Sequence, residues 1–138
     1  MELLHELNGL LTTGGVTFAL LFLRVVVAII FVDSGRRHLQ DPAGRAAGLG
    51  LPVWFVWMLG IVEVTGGVLF AAGVWVTIVG LLLAAVMFGA IFFKLFVWKT
   101  SFYGTHGDGW YYDLLILAST GVVLTSGPGA LALGTFFS

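Results

Sequence analysis

Four long apolar runs, at 16–35, 52–71, 74–98 and 110–125, leave this chain few ways to fold in water. Each is close to the roughly 20 residues that an α-helix needs to cross a bilayer. Apolar residues make up 59% of the chain and charged residues 9%, against about 45–50% and 25% in a soluble domain. With 6 Lys and Arg and 7 Asp and Glu among 138 residues, polar groups cannot cover the surface of a folded domain, so lipid must replace water around it. A transmembrane barrel would show runs of about ten residues alternating apolar and polar, whereas these runs are apolar on both faces. The expected fold is a single all-α membrane domain over 1–138, a four-transmembrane-helix antiparallel bundle followed by a C-terminal tail at 126–138.

The segment before the first run, MELLHELNGLL, sets Leu3, Leu4, Leu7, Leu10 and Leu11 on one helical stripe and Glu2, Glu6 and Asn8 away from it. It predicts a short interfacial helix over 1–13, retained because no small-residue cleavage signature follows it. His5 with Glu2 and Glu6 makes a poor metal site, since all three lie on one terminal helix without a second supporting element, so no metal is expected. A net charge of -1 lacks the electrostatic footprint of a nucleic-acid binder, and the absence of cysteine rules out disulfides, thiolate metal sites and a CxxC redox pair. Any redox role therefore falls to a bound cofactor or a partner.

Helices two and three are separated only by Ala72 and Gly73, so the links 36–51 and 99–109 share one membrane face, here called face A. Arg36, Arg37, Arg45 and Lys99 lie on face A, and none of the opposite segments on face B carries Lys or Arg. The positive-inside rule then makes both links cytoplasmic and puts both termini outside, in a cytoplasmic (inner) membrane. Trp54, Trp57, Trp75, Trp98 and Trp110 fall near the span ends, where amphipathic rings prefer to sit.

Charges inside the spans are the informative residues, because each costs several kcal/mol in hydrocarbon unless it finds a partner. Arg24 and Glu63 are each eight residues from the face B end of their spans, which predicts an ion pair about 12 Å deep. Gly60 and Gly67 flank Glu63 at i−3 and i+4 and let a neighbouring helix approach, with Gly66 beside them for packing. Such a pair is either a structural staple or the lining of a proton or ligand path. Asp33, Lys94 and Asp113 all lie within about 8 Å of face A and form a second expected cluster, on the opposite side of helix one from Arg24. Asp33 also has Arg37 at i+4, and Lys94 can reach the headgroups, so anchoring and a polar pocket both stand as readings.

The face A links add Arg36, Arg37, His38, Tyr103, His106, Asp108, Tyr111 and Tyr112 to the mouth of that pocket. A quinone ring needs hydrogen-bond donors near the interface and an apolar slot for its tail, and His38, His106, Lys94 or a Tyr hydroxyl can supply the donors. A haem held by His38 and His106 would need two loop positions aimed at one iron, which the sequence does not favour. No GxGxxG, phosphate loop, HExxH or nucleophile elbow is present, so no motif makes the chain a self-contained enzyme.

The stretches FLRVVVAIIFVDSGRRHL, GIVEVTGGVLFAAG and GWYYDLLILASTGVVLTSGPGALALG together resemble the DoxX family of small four-helix bacterial and archaeal membrane proteins, over residues 23–134. The match consists of an Arg early in helix one, a Ser-Gly pair at its end, a Glu followed by Gly-Gly in helix two, a Gly at the short turn and a Gly-Pro-Gly after helix four. The resemblance carries the family's polar and turn positions onto Arg24, Gly35, Glu63, Gly66, Gly67, Gly73 and the turn of Gly127, Pro128 and Gly129. His38 stands where the family often has Lys, and the tail after Pro128 lacks the family's frequent Asp. The resemblance, which extends to the small subunits of thiosulfate:quinone oxidoreductase, implies a subunit of a membrane-bound, quinone-linked oxidoreductase complex that anchors a peripheral or membrane partner and is able to bind quinone. The alternative from a different class is a non-catalytic scaffold, self-associating or joined to other membrane proteins through Gly66, Gly67, Gly80, Ala84, Ala85 and Gly89. A small-solute or proton carrier ranks third, because neither an internal repeat nor a broken helix is evident.

Overall fold

The computed structural model describes residues 1–106 and 109–136, and among these every regular element is helical and there is no strand. Asp108, expected in the face A mouth, lies outside the described residues. Helix α1 covers Glu2–Gln40, α2 Pro42–Leu49, α3 Val53–Ala72, α4 Val76–Phe92 and α5 Tyr111–Ser126. A π-helical turn, Phe93–Val97, continues α4, and a 3₁₀ turn, Leu133–Phe136, follows α5. Three helices, α1, α3 and α4 with its π-helical extension, are long and apolar enough to cross a membrane, and α5 is a shorter apolar helix of 16 residues.

The first helix corrects two expectations. The interfacial helix over 1–13 and the span from 16 form one unbroken helix, and that helix runs past Gly35 to Gln40. Gly14 and Gly15 meet no neighbour that would impose a turn, and the Thr12 hydroxyl donates back to the Asn8 carbonyl at 2.7 Å, so nothing competes with helical bonding there. At the other end no breaker occurs before Pro42, whose missing N–H suits the first position of a new helix. Asp41 makes the joint: its backbone N–H donates to the Arg37 carbonyl to close α1, and its carboxylate accepts from the Gly44 N–H at 2.9 Å to open α2. Asp41→Ala is therefore expected to cost about 1 kcal/mol, measured by equilibrium unfolding in detergent. Gly50, left-handed at φ +69°, ends α2.

The packed body is set by α1 against α3. Rising residue numbers in α1 meet falling numbers in α3: Leu39 and Gly35 face Gly60, Phe31 and Ala28 face Gly67, and Arg24 reaches Gly73. The contact is close because glycines stand on both sides, and a Cβ on Gly35 would lie 2.7 Å from the Gly60 carbonyl oxygen. Small residues do the same work elsewhere, with Gly66 against Leu83 of α4 and Gly80 of α4 against Leu124 of α5. Phe31, Phe70, Leu83, Val27, Val56 and Val123 are fully buried between these helices. Among the residues of α1 whose burial is described, Leu20 is the first buried one, and Leu3, Leu4, Leu7, Leu10, Val16 and Phe18 before it are exposed.

Candidate functional site

The register of α1 on α3 decides which buried charges meet. Taking the spans as 16–35 and 52–71 sets Arg24 level with Glu63, whereas the observed pairing sets Arg24 level with Gly73, about 15 Å away along the helix. The expected Arg24–Glu63 ion pair does not form. Both residues are buried, at 0% and 2% exposure, and each has another partner.

Glu63 Oε2 lies 2.9 Å from His38 Nδ1, with the two side chains 3% and 12% exposed. His38 reaches it because α1 continues to Gln40 and carries the imidazole one turn beyond Gly35, where the glycine contact draws α1 and α3 together. With Nδ1 directed at a carboxylate, Nε2 is the ring's remaining polar atom, an acceptor when His38 is neutral and a donor when it is protonated. The imidazole also lines a groove of about 410 Å³ between α1, α2 and α5. Ile29 and Ile30 supply apolar lining, and Ser34, Asp33, Arg37, Arg45 and Tyr112 add polar groups. Asp33 and Arg37 pair with each other at 2.7 Å, one helical turn apart and more than half exposed.

The other charges of the expected face A cluster are divided rather than gathered. Lys94 Nζ stands 2.6 Å from Asp113 Oδ2, an ion contact outside hydrogen-bonding angles, and it donates to the Gly109 carbonyl at 3.3 Å. Lys94 sits in the π-helical turn, where Trp98 N–H bonds five residues back to the Phe93 carbonyl and Thr100 closes on the Lys94 carbonyl. A π turn shifts the helix face by the extra residue, and such turns are frequent at functional positions. His106 lies in the exposed loop, its Nδ1 3.1 Å from the Thr105 hydroxyl. That loop is stapled by Phe102, whose ring packs edge-on to Trp110 at 4.6 Å and whose carbonyl accepts from the Tyr111 N–H.

Arg24 occupies the opposite end of the body. Its Nη2 donates to the Leu131 carbonyl at 2.7 Å, and the segment after α5 crosses over it to the turn between α3 and α4, where Gly134 N–H bonds to the Gly73 carbonyl at 3.2 Å. Glycines at φ +78° (Gly127) and +80° (Gly129) shape this crossing.

Two features escaped the sequence reading. The His38–Glu63 pair was hidden by ending helix one at Gly35, although the lack of a breaker across 36–41 was the signal for a longer helix. Arg45 entered the groove through α2, a helix announced by the Asp41-Pro42 cap within what reads as a polar link.

The DoxX family profile matches residues 19–95, more than half of the chain and the part that holds Arg24, His38, Glu63 and Lys94. The chain is 36% identical over 120 residues, 84% of each sequence, to a Bacillus subtilis (strain 168) protein named "Putative oxidoreductase CatD". No solved structure matches it. The apolar helices and these likenesses together make it a multi-pass membrane protein, and the chain belongs to the DoxX family.

Proposed function

We propose that this protein is the quinone-binding and anchoring subunit of a membrane-bound oxidoreductase, and that the groove beside His38 holds the quinone ring. The observation that carries this reading is His38 at the wall of a groove with apolar and polar lining, its Nδ1 held by the buried Glu63 behind it. A quinone taking up two electrons must also take up two protons. When protonated, His38, held by Glu63 through Nδ1, can donate from Nε2 to a ring oxygen and pass it one of the two protons, with the second proton and the one that restores His38 drawn from water at the groove mouth. Tyr112 and Arg45 offer further hydrogen-bond donors, and Ile29 and Ile30 lie against the ring or tail. The chain has no cysteine, and in this reading a partner oxidoreductase supplies the electrons. The word oxidoreductase in the name of the CatD relative is consistent with such a system.

In this reading α1, α3, α4 and α5 form a four-span antiparallel bundle in the cytoplasmic membrane, with 36–51 and 99–109 on the cytoplasmic side and both termini outside. The basic residues Arg36, Arg37, Arg45 and Lys99 present the surface on which a partner docks. Of the residues named for the scaffold reading, Gly66, Gly67 and Gly80 pack against Leu83, Val32 and Leu124 of this chain and Ala84 is buried, which leaves that reading Ala85, which is exposed, and Gly89, whose added Cβ would meet nothing. The test is mass spectrometry of an organic extract of the gently purified protein. Quinone enriched to near-stoichiometric amounts over a matched membrane-protein control is the expected result, and background quinone after both native-lipid and detergent purification would favour the scaffold.

A further inference from the structure

Every described acidic side chain lies away from Arg24. Glu63 pairs with His38, Asp113 with Lys94 and Asp33 with Arg37, Asp41 caps α2, and Glu2 and Glu6 are about 27 Å or more along α1. A guanidinium carries five N–H donors. On Arg24 one is taken by the Leu131 carbonyl, and Nε and Nη1, which carry three more, have no acceptor among the described residues although the side chain is 0% exposed. A buried cation left in this condition is costly in lipid as in protein. Its position is also particular: it lies level with Gly73 at the end of the α3–α4 hairpin, where the body meets face B, rather than midway along it.

The segment from Gly127 to Gly134 covers Arg24, and its contacts include the Arg24–Leu131 and Gly134–Gly73 hydrogen bonds, Ala132 set against Gly73 and Gly129 beside Leu20, while Leu131 and Leu133 are 46% and 53% exposed. We infer that Arg24 is the centre of a phosphate-class oxyanion site at face B, entered by displacement of the segment between Gly127 and Gly134, whose Leu131 carbonyl occupies one of the guanidinium donors until the anion arrives. Planar, delocalised guanidinium is the cation best matched to phosphate oxygens. The same chemistry is offered by the headgroup of an anionic phospholipid at the face B interface and by soluble phosphate.

The experiment uses the full chain in an uncharged detergent, stripped of lipid, with thermal unfolding followed on titration with phosphatidylglycerol or with inorganic phosphate. Phosphatidylcholine and chloride at matched ionic strength are the references. A saturable rise in the unfolding midpoint with phosphatidylglycerol alone assigns a lipid headgroup, and a rise with millimolar inorganic phosphate assigns a soluble oxyanion. In either case Arg24→Gln should lose the rise or weaken the apparent affinity by about tenfold or more, and Arg24→Lys should fall between. The same rise in Arg24→Gln, or no rise in the wild-type chain with either probe, overturns the site. Should Arg24→Gln not fold, Arg24→Lys carries the comparison, and an unchanged rise there overturns the site.

Discussion

His38→Ala should destabilise the protein by about 3–5 kcal/mol, the cost of stripping the partner from a buried charge. It leaves the Glu63 carboxylate, 3% exposed, without its 2.9 Å partner between α1 and α3. Glu63→Gln should cost only about 1 kcal/mol, because an uncharged amide keeps a hydrogen bond to the imidazole and leaves no buried carboxylate to be paired. The asymmetry is the informative part: equilibrium unfolding of both variants in mixed detergent micelles should rank His38→Ala well below Glu63→Gln. Equal, small losses would mean that the two side chains do not depend on each other. The double variant should be less destabilised than the sum of the two, since the carboxylate stranded by His38→Ala is absent once residue 63 is Gln.

Gly35→Ala is the second large effect. A Cβ there would stand 2.7 Å from the Gly60 carbonyl oxygen and 2.9 Å from the Glu63 Cβ, and a backbone atom cannot rotate away. Pushing α1 off α3 should cost about 1–3 kcal/mol, more for Gly35→Leu. It should also pull His38 away from Glu63, so the effects of Gly35→Ala and His38→Ala should not add. Gly121→Ala makes the control: no atom lies within 4 Å of its added Cβ, and the gain in helix propensity should leave the protein unchanged or up to about 1 kcal/mol more stable. A Gly35→Ala variant as stable as Gly121→Ala would contradict the close contact of α1 and α3.

These two contacts also show where sequence reasoning succeeds and where it stops. Span composition predicts helices at 52–71 and 110–125, and the observed α3 and α5 agree with them to within one residue at each end, because apolar runs bounded by Gly, Pro and Trp carry their own limits. Helix one was harder, because its apolar run ends at Gly35 while its helix does not. Charge marks where lipid ends, whereas capping marks where a helix ends, and in residues 36–41 the two signals separate. That displacement also shifted the depth arithmetic for Arg24. Two helices packed by glycines settle into the register that seats backbone on backbone, which here is Gly35 on Gly60, and span edges alone do not reveal it. Lys94 and Asp113 were within reach of composition and counting because both lie near the ends of their helices on one face. The Leu131 carbonyl over Arg24 was out of reach, since a backbone acceptor in an irregular segment leaves no residue-type signal.

Photolabelling with an azidoquinone in native membranes, followed by peptide mapping, tests most directly whether the groove at His38 is the quinone site. Label on the segment holding Ile29, Ile30 and His38 or on Tyr112, competed by unlabelled quinone and reduced in Tyr112→Phe, is the result expected of a ring held there. Label scattered over the exposed faces of α4, or no label that unlabelled quinone displaces, would contradict a quinone site in this protein.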